Sequence, residues 1–119
     1  MLPDYLSIPT VELGLGTTVK VRVLGDMASI AHDLATALRD EIVGAQREGR
    51  GATLIVPVGP VDHYPVLARI LNGEHISCRD VVFINMDEYL TEDDHWIGEE
   101  HPLSFRGYMN RCFYELIDP

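Results

Sequence analysis

The run Ala-Thr-Leu-Ile-Val-Pro-Val at residues 52–58 restricts the fold more than any other feature of the chain. It is nearly continuous in apolar character where a half-exposed strand would alternate, the pattern of a strand covered on both faces in a parallel sheet. Pro57 offers no N–H to a ladder, so it belongs at the strand's end. Parallel neighbours need a crossover between them, and the flanking sequence supplies helices. Asp26 follows Gly25 as a candidate N-cap, and Met27, Ile30, Ala31, Leu34, Leu38, Ile42 and Ala45 then recur at helical spacing until Gly49-Arg50-Gly51. Residues 61–71 read as a shorter helix and 81–85 as another strand. Residues 18–24 alternate, with Val19, Val21 and Val23 on one side, which predicts a half-buried strand ahead of the first helix. An acidic loop at 91–100 leads into a last helix over 102–117, with Phe105, Met109, Cys112, Phe113 and Leu116 along one stripe. Strand and helix thus alternate three times, predicting an α/β, three-layer Rossmann-like sandwich with a parallel sheet and right-handed crossovers.

A chain of 119 residues supports one core, so a second domain with its own core is excluded. Residues 1–17, with Pro3, Pro9, Gly14 and Gly16, read as an N-terminal arm, and 18–119 as the α/β domain. Gly14-Leu15-Gly16 lacks the third glycine and the preceding strand of a dinucleotide fingerprint, and reads as a turn. Nineteen acidic against nine basic residues give a net charge of −10, which disfavours nucleic acid and anionic membranes as partners. Cys78 and Cys112 have no metal-site or disulfide-scaffold spacing, and no signal peptide or membrane span is evident; a cytoplasmic protein with reduced thiols is expected.

In a parallel sheet, ligands sit beyond the carboxyl ends of the strands, so residues 57–64 and 85–89 are the candidate site segments. If the backbone stays extended past Asn85, then Asn85, Asp87 and Tyr89 share one side and Met86 and Glu88 the other, so Asp87 and Glu88 would not work as an acid–base pair. Asp87 reads either as a general base at a shielded strand end or as a turn cap. The acidic loop lacks the ligand pattern of a calcium loop and reads as a solvated lid, and no metal is expected. Trp96 and Ile97 within it must cover either the sheet end or a partner. His101 is a candidate cap for the last helix.

Asn-Met-Asp-Glu-Tyr at 85–89, followed by His101-Pro102-Leu103-Ser104-Phe105 and Tyr108-Met109-Asn110-Arg111, resembles the glucosamine-6-phosphate deaminase/isomerase family, with its NMDEY and HPxS motifs. The resemblance is strongest from 80 to 119 and topological from 18 to 71. It implies conversion of an amino-sugar phosphate to a ketose phosphate and ammonia through an enol-type intermediate. By the same resemblance Asp87 is the catalytic base, and the substrate-binding residues are Val58, Gly59, Pro60 and His63, in place of the family's Gly-Gly-Thr-Pro phosphate loop, and Phe105. No cofactor is implied. The loop departs from the family: Val58 and Val61 replace hydroxyls, Pro60 has no N–H, and Asp62 opposes an anion. Because family chains continue past the equivalent of Pro119, with a ring-opening Asp and His, the 119 residues are expected to be the N-terminal part of such a domain. They would then be incomplete or inactive alone, with an uncovered apolar sheet face that a homo-oligomer could bury. A non-catalytic sugar-phosphate-binding or interaction module of the same fold is the alternative; related sugar lactonases and ribose-phosphate isomerases fit NMDEY less well.

Overall fold

The computed structural model describes residues 3–59 and 62–118. Three helices and two strands follow one another as α1 (Met27–Arg47), β1 (Ala52–Val56), α2 (His63–Gly73), β2 (Val81–Asn85) and α3 (Phe105–Cys112), with a 3-10 turn at Tyr114–Leu116. The fold is α/β with a parallel sheet: β1 pairs with β2 from Ala52 opposite Val81 to Val56 opposite Asn85.

Local sequence accounts for the helix ends. The Asp26 side chain caps α1 by accepting from the Ser29 N–H at 2.7 Å. At the other end Gly49 takes φ 70°, and the Gly49 N–H donates to Gln46 while the Arg50 N–H donates to Ala45. These are the two bonds of a Schellman closure, whose left-handed residue favours glycine. α2 closes in the same way with His75 at φ 55°, the His75 and Ile76 N–H groups donating to Asn72 and Leu71.

Alternation along the strands sends Ala52, Leu54, Val56, Val81 and Phe83 to one face, where they meet Ala35, Ile42 and Ala45 of α1, Leu67, Ala68 and Leu71 of α2, and Met109 and Phe113 at α3. Phe83 meets Phe113 edge-on at 5.0 Å. The other face carries Ile55, Val82 and Ile84, which are 63%, 54% and 46% exposed. The apolar run at 52–58 is therefore covered by helices on one face only among the described residues.

Residues 18–24 form no strand. Val19, Val21 and Val23 are exposed and the segment has no ladder partner among the described residues. It folds back instead on the turn at Gly14, where a side chain would run into Val21 and the Val19 carbonyl, and Arg22 makes a fork of two 2.6 Å bonds to Asp33 of α1. Alternation marks a strand only where a neighbouring edge accepts its backbone groups, and here both local bonding and the Arg22–Asp33 pair lead elsewhere. The last helix also starts later than Pro102, at Phe105, and breaks at Phe113.

Candidate active site

Parallel pairing brings the ends of β1 and β2 to the same sheet edge. The Met86 N–H still donates to the Val56 carbonyl at 3.1 Å, so the segments that begin at Pro57 and Asp87 leave the sheet side by side. Gly59 turns with φ 77°, a conformation that favours glycine. Val58, Gly59, Asp62 and Tyr108 line a cavity of about 590 Å³ that extends between α1 and α2. The Tyr108 hydroxyl donates to Asp62 Oδ1 at 3.1 Å, joining the loop after β1 to α3, and burial first, then this bond, raises the Tyr108 phenol above its ordinary range.

His63 does not line this cavity. It opens α2, is buried, and its ring centroid lies 4.0 Å from that of Tyr64. Tyr64 is itself buried and donates to the Pro57 carbonyl, so the aromatic pair anchors the loop from beneath. Burial pushes the Tyr64 phenol up to about 12. Pro60 lies outside the described residues, as does Val61.

Beyond β2 the two adjacent carboxylates part. Asp87 is exposed and takes part in no hydrogen bond or ion pair among the described residues, so it caps no turn there. Glu88 turns under the start of α3. Its carboxylate accepts from Ser104 Oγ at 2.7 Å, from the Phe105 and Arg106 N–H groups at 3.0 Å each, and from the Tyr89 N–H at 2.9 Å. Burial works to raise the Glu88 pKa, but these bonds, with the Arg106 N–H foremost, outweigh it and hold the group at about 2. Ser104 Oγ accepts in turn from the Gly107 N–H at 3.1 Å and so caps α3. His101, a candidate for that cap, accepts through Nδ1 from the Leu103 N–H in the turn just before. Phe105 packs against Tyr89, two residues after Asp87, with centroids 5.0 Å apart, and is not on the cavity wall.

The acidic loop is held by the same corner. Arg106 donates to the Ile97 carbonyl at 2.6 Å and lies 5.3 Å over the Trp96 ring, and Leu90 pairs with Trp96 as an isolated antiparallel bridge. Trp96 remains 68% exposed. Among the described residues no three His, Cys, Asp or Glu side chains are grouped to hold a metal ion, and no helix is long and apolar enough to cross a membrane.

Comparison with known proteins points one way. A glucosamine-6-phosphate deaminase of Pseudoalteromonas translucida is 29% identical over 100 residues, 84% of this chain and 35% of its own. Those of Actinobacillus pleuropneumoniae and Haemophilus influenzae are 35% identical over 71 residues, 58% of this chain and 25% and 24% of theirs. The resemblance is to glucosamine-6-phosphate deaminases. No family model matches. The chain spans about a quarter to a third of the length of these curated deaminases.

The structure distributes the candidate residues over three places. Val58 and Gly59 share the cavity, Asp87 and Phe105 stand at the β2 corner, and His63 is packed below. Asp87 and Glu88 part, as extended alternation predicts, but β2 ends at Asn85 and alternation does not give what Glu88 meets there, the start of α3. The serine of HPLS was the available signal for this corner: serine is a favoured N-cap, and its free first-turn N–H groups require an acceptor that Glu88 provides.

Proposed function

We propose that Asp87 is the general base of an aldose–ketose isomerisation coupled to deamination of an amino-sugar phosphate. In this reading residues 18–119 act as the N-terminal part of a sugar-phosphate isomerase/deaminase-like domain, and Val58, Gly59, Pro60 and His63 shape the substrate loop, with Phe105 flanking the sugar. The observation that carries the reading is the pair of carboxylates after β2. Glu88 is spent on the start of α3, whereas Asp87, one residue earlier, has no partner among the described residues and stands at the edge where the β1 loop also emerges. A carboxylate just beyond a strand terminus can take a proton from the carbon beside a carbonyl and return it to the neighbouring carbon. The partial similarity to glucosamine-6-phosphate deaminases supports the substrate class.

The test is exchange of the carbon-bound hydrogen of glucosamine 6-phosphate with solvent, run on the protein as its gene encodes it. Asp87→Asn keeps the shape but loses the basic oxygen, so exchange should fall by about two to four orders of magnitude while binding persists. Exchange at the unaltered rate in Asp87→Asn removes Asp87 from the role. Saturable binding with no exchange in the unaltered protein points to the non-catalytic sugar-phosphate-binding module instead.

A further inference from the structure

The chain from Tyr89 to Ile97 closes on itself as a short hairpin. The Ile97 N–H donates to the Tyr89 carbonyl at 3.0 Å and the Thr91 N–H to the His95 carbonyl at 2.7 Å, with Leu90 opposite Trp96 between them. Asp94 takes φ 58° in the turn, and its N–H donates to the Thr91 carbonyl at 3.1 Å. Aspartate tolerates that left-handed conformation better than most residues.

Bonds on either side of an antiparallel pair leave the two opposite side chains on one face and close together. Leu90 and Trp96 form such a pair and are 53% and 68% exposed. The Arg106 guanidinium lies 5.3 Å from the Trp96 ring centroid and is fixed by its 2.6 Å bond to the Ile97 carbonyl. The ring is thus held from one side while most of its surface stays in water. A side chain held in this way has little freedom left to lose when a partner meets it.

The charge beside this pair has one sign. Glu92, Asp93 and Asp94 form the exposed tip, and none of their carboxylates makes an ion pair or hydrogen bond among the described residues. Glu100 makes none there either, and Glu99 is shared between Asn110 at 2.6 Å and Arg106 at 3.7 Å. An aromatic centre with a charged rim is the composition of a protein–protein contact.

We propose that the hairpin at residues 89–97 docks a basic segment of another protein. An apolar side chain of that segment sits on Leu90 and Trp96, and its Arg or Lys side chains pair with Glu92, Asp93 and Asp94. Charge complementarity selects this occupant. A second copy of the chain brings a net charge of −10 and the same acidic tip, and nucleic acid or an anionic membrane meets the same repulsion. A small free cation would satisfy the carboxylates but leave the apolar pair in water. A partner arginine gains twice, since its guanidinium stacks on an indole as well as pairing with a carboxylate. The proposal uses neither Asp87 nor the sugar-phosphate chemistry, so either reading can fail without the other.

Fluorescence anisotropy of labelled peptides, titrated with the protein as its gene encodes it, tests the docking. The probes are short peptides carrying one Trp or Leu between arginines, the same peptides with Glu for each Arg, and the same with Ser for the apolar residue. The arginine peptides should bind saturably, and either replacement should weaken binding by at least about 10-fold, the scale of one well-placed contact. Trp96→Ala should weaken it by about 10- to 100-fold, with part of the loss restored in Trp96→Phe. Combined Glu92→Gln, Asp93→Asn and Asp94→Asn should weaken it by at least about 10-fold and flatten its salt dependence. Asp4→Asn with Glu12→Gln, which removes charge from the N-terminal arm instead, should change little. All these side chains are exposed, so circular dichroism should report folded variants. Arginine peptides that do not bind, acidic peptides that bind as well, a silent Trp96→Ala, or equal losses from the tip and arm neutralisations would each overturn the proposal. Self-association that Trp96→Ala abolishes would overturn it in favour of a second copy.

Discussion

The carboxylate of Glu88 must be ionised for α3 to begin where it does, because every group that faces it is a donor. Its folded-state pKa of about 2 lies below the ordinary 4.5, so ionisation favours the folded chain. That contribution is complete above about pH 4.5 and is lost as the pH falls through about 2. Glu88→Gln presents an NH₂ to these donors and should cost about 1.5–3 kcal/mol near neutral pH, with a flatter stability profile on acidification. Urea titrations at a series of pH values measure both effects; an unchanged midpoint would mean that the corner is not held by this carboxylate. Tyr64 works at the opposite end of the scale. Its phenol, raised to about 12, favours the folded state below pH 10, and the benefit fades as the pH rises toward 12. Tyr64→Phe leaves the Pro57 carbonyl without its donor and should lower stability by about 1–3 kcal/mol, with a smaller loss on raising the pH than in the unaltered chain.

At the scale of elements, helix ends divide into those closed by neighbours in sequence and those closed from a distance. Asp26 and Gly49 are local devices and were legible in the chain. The start of α3 is not wholly local, because Ser104 supplies the cap and Glu88, sixteen positions earlier, supplies the remaining acceptor. Ser104→Ala should therefore cost about 1–2 kcal/mol, and the double variant with Glu88→Gln less than the sum of the two, since they share one network. The C-terminal closure of α2 places His75 in the left-handed region at φ 55°. His75→Gly relieves the Cβ–carbonyl crowding there and should raise stability by about 0.5–1 kcal/mol in thermal unfolding. A loss would mean that the imidazole makes a compensating contact.

Over the whole molecule, the radius of gyration of 17.6 Å exceeds the roughly 13.5 Å of a fully compact chain of this length. Residues 3–26 contribute, since they are almost all exposed, as does a sheet with helices on one side among the described residues. Ile55, Val82 and Ile84 present a flat apolar face that should bind an apolar fluorescent dye in the folded state. Replacing all three with Thr should abolish most of the dye signal while changing stability little, because exposed positions usually matter by about 0.5 kcal/mol or less each. Dye binding that survives the triple replacement would place the responsive surface elsewhere.

The sequence by itself determined the parallel α/β arrangement, the two strands at residues 52–56 and 81–85, the body of each helix and the common edge of the two candidate segments. Those follow from apolar periodicity, helix capping and the rule that parallel strands end together, all of which act within a short stretch of chain. Tertiary structure alone decided that residues 18–24 take no ladder partner, that Glu88 rather than Asp87 is consumed by α3, that His63 lies buried on Tyr64, and that Asp62 and Arg69 flank one cavity. Each depends on which distant backbone edge, donor or ring comes to face a given side chain. A one-dimensional pattern records the period of a segment but not the partner that period will meet.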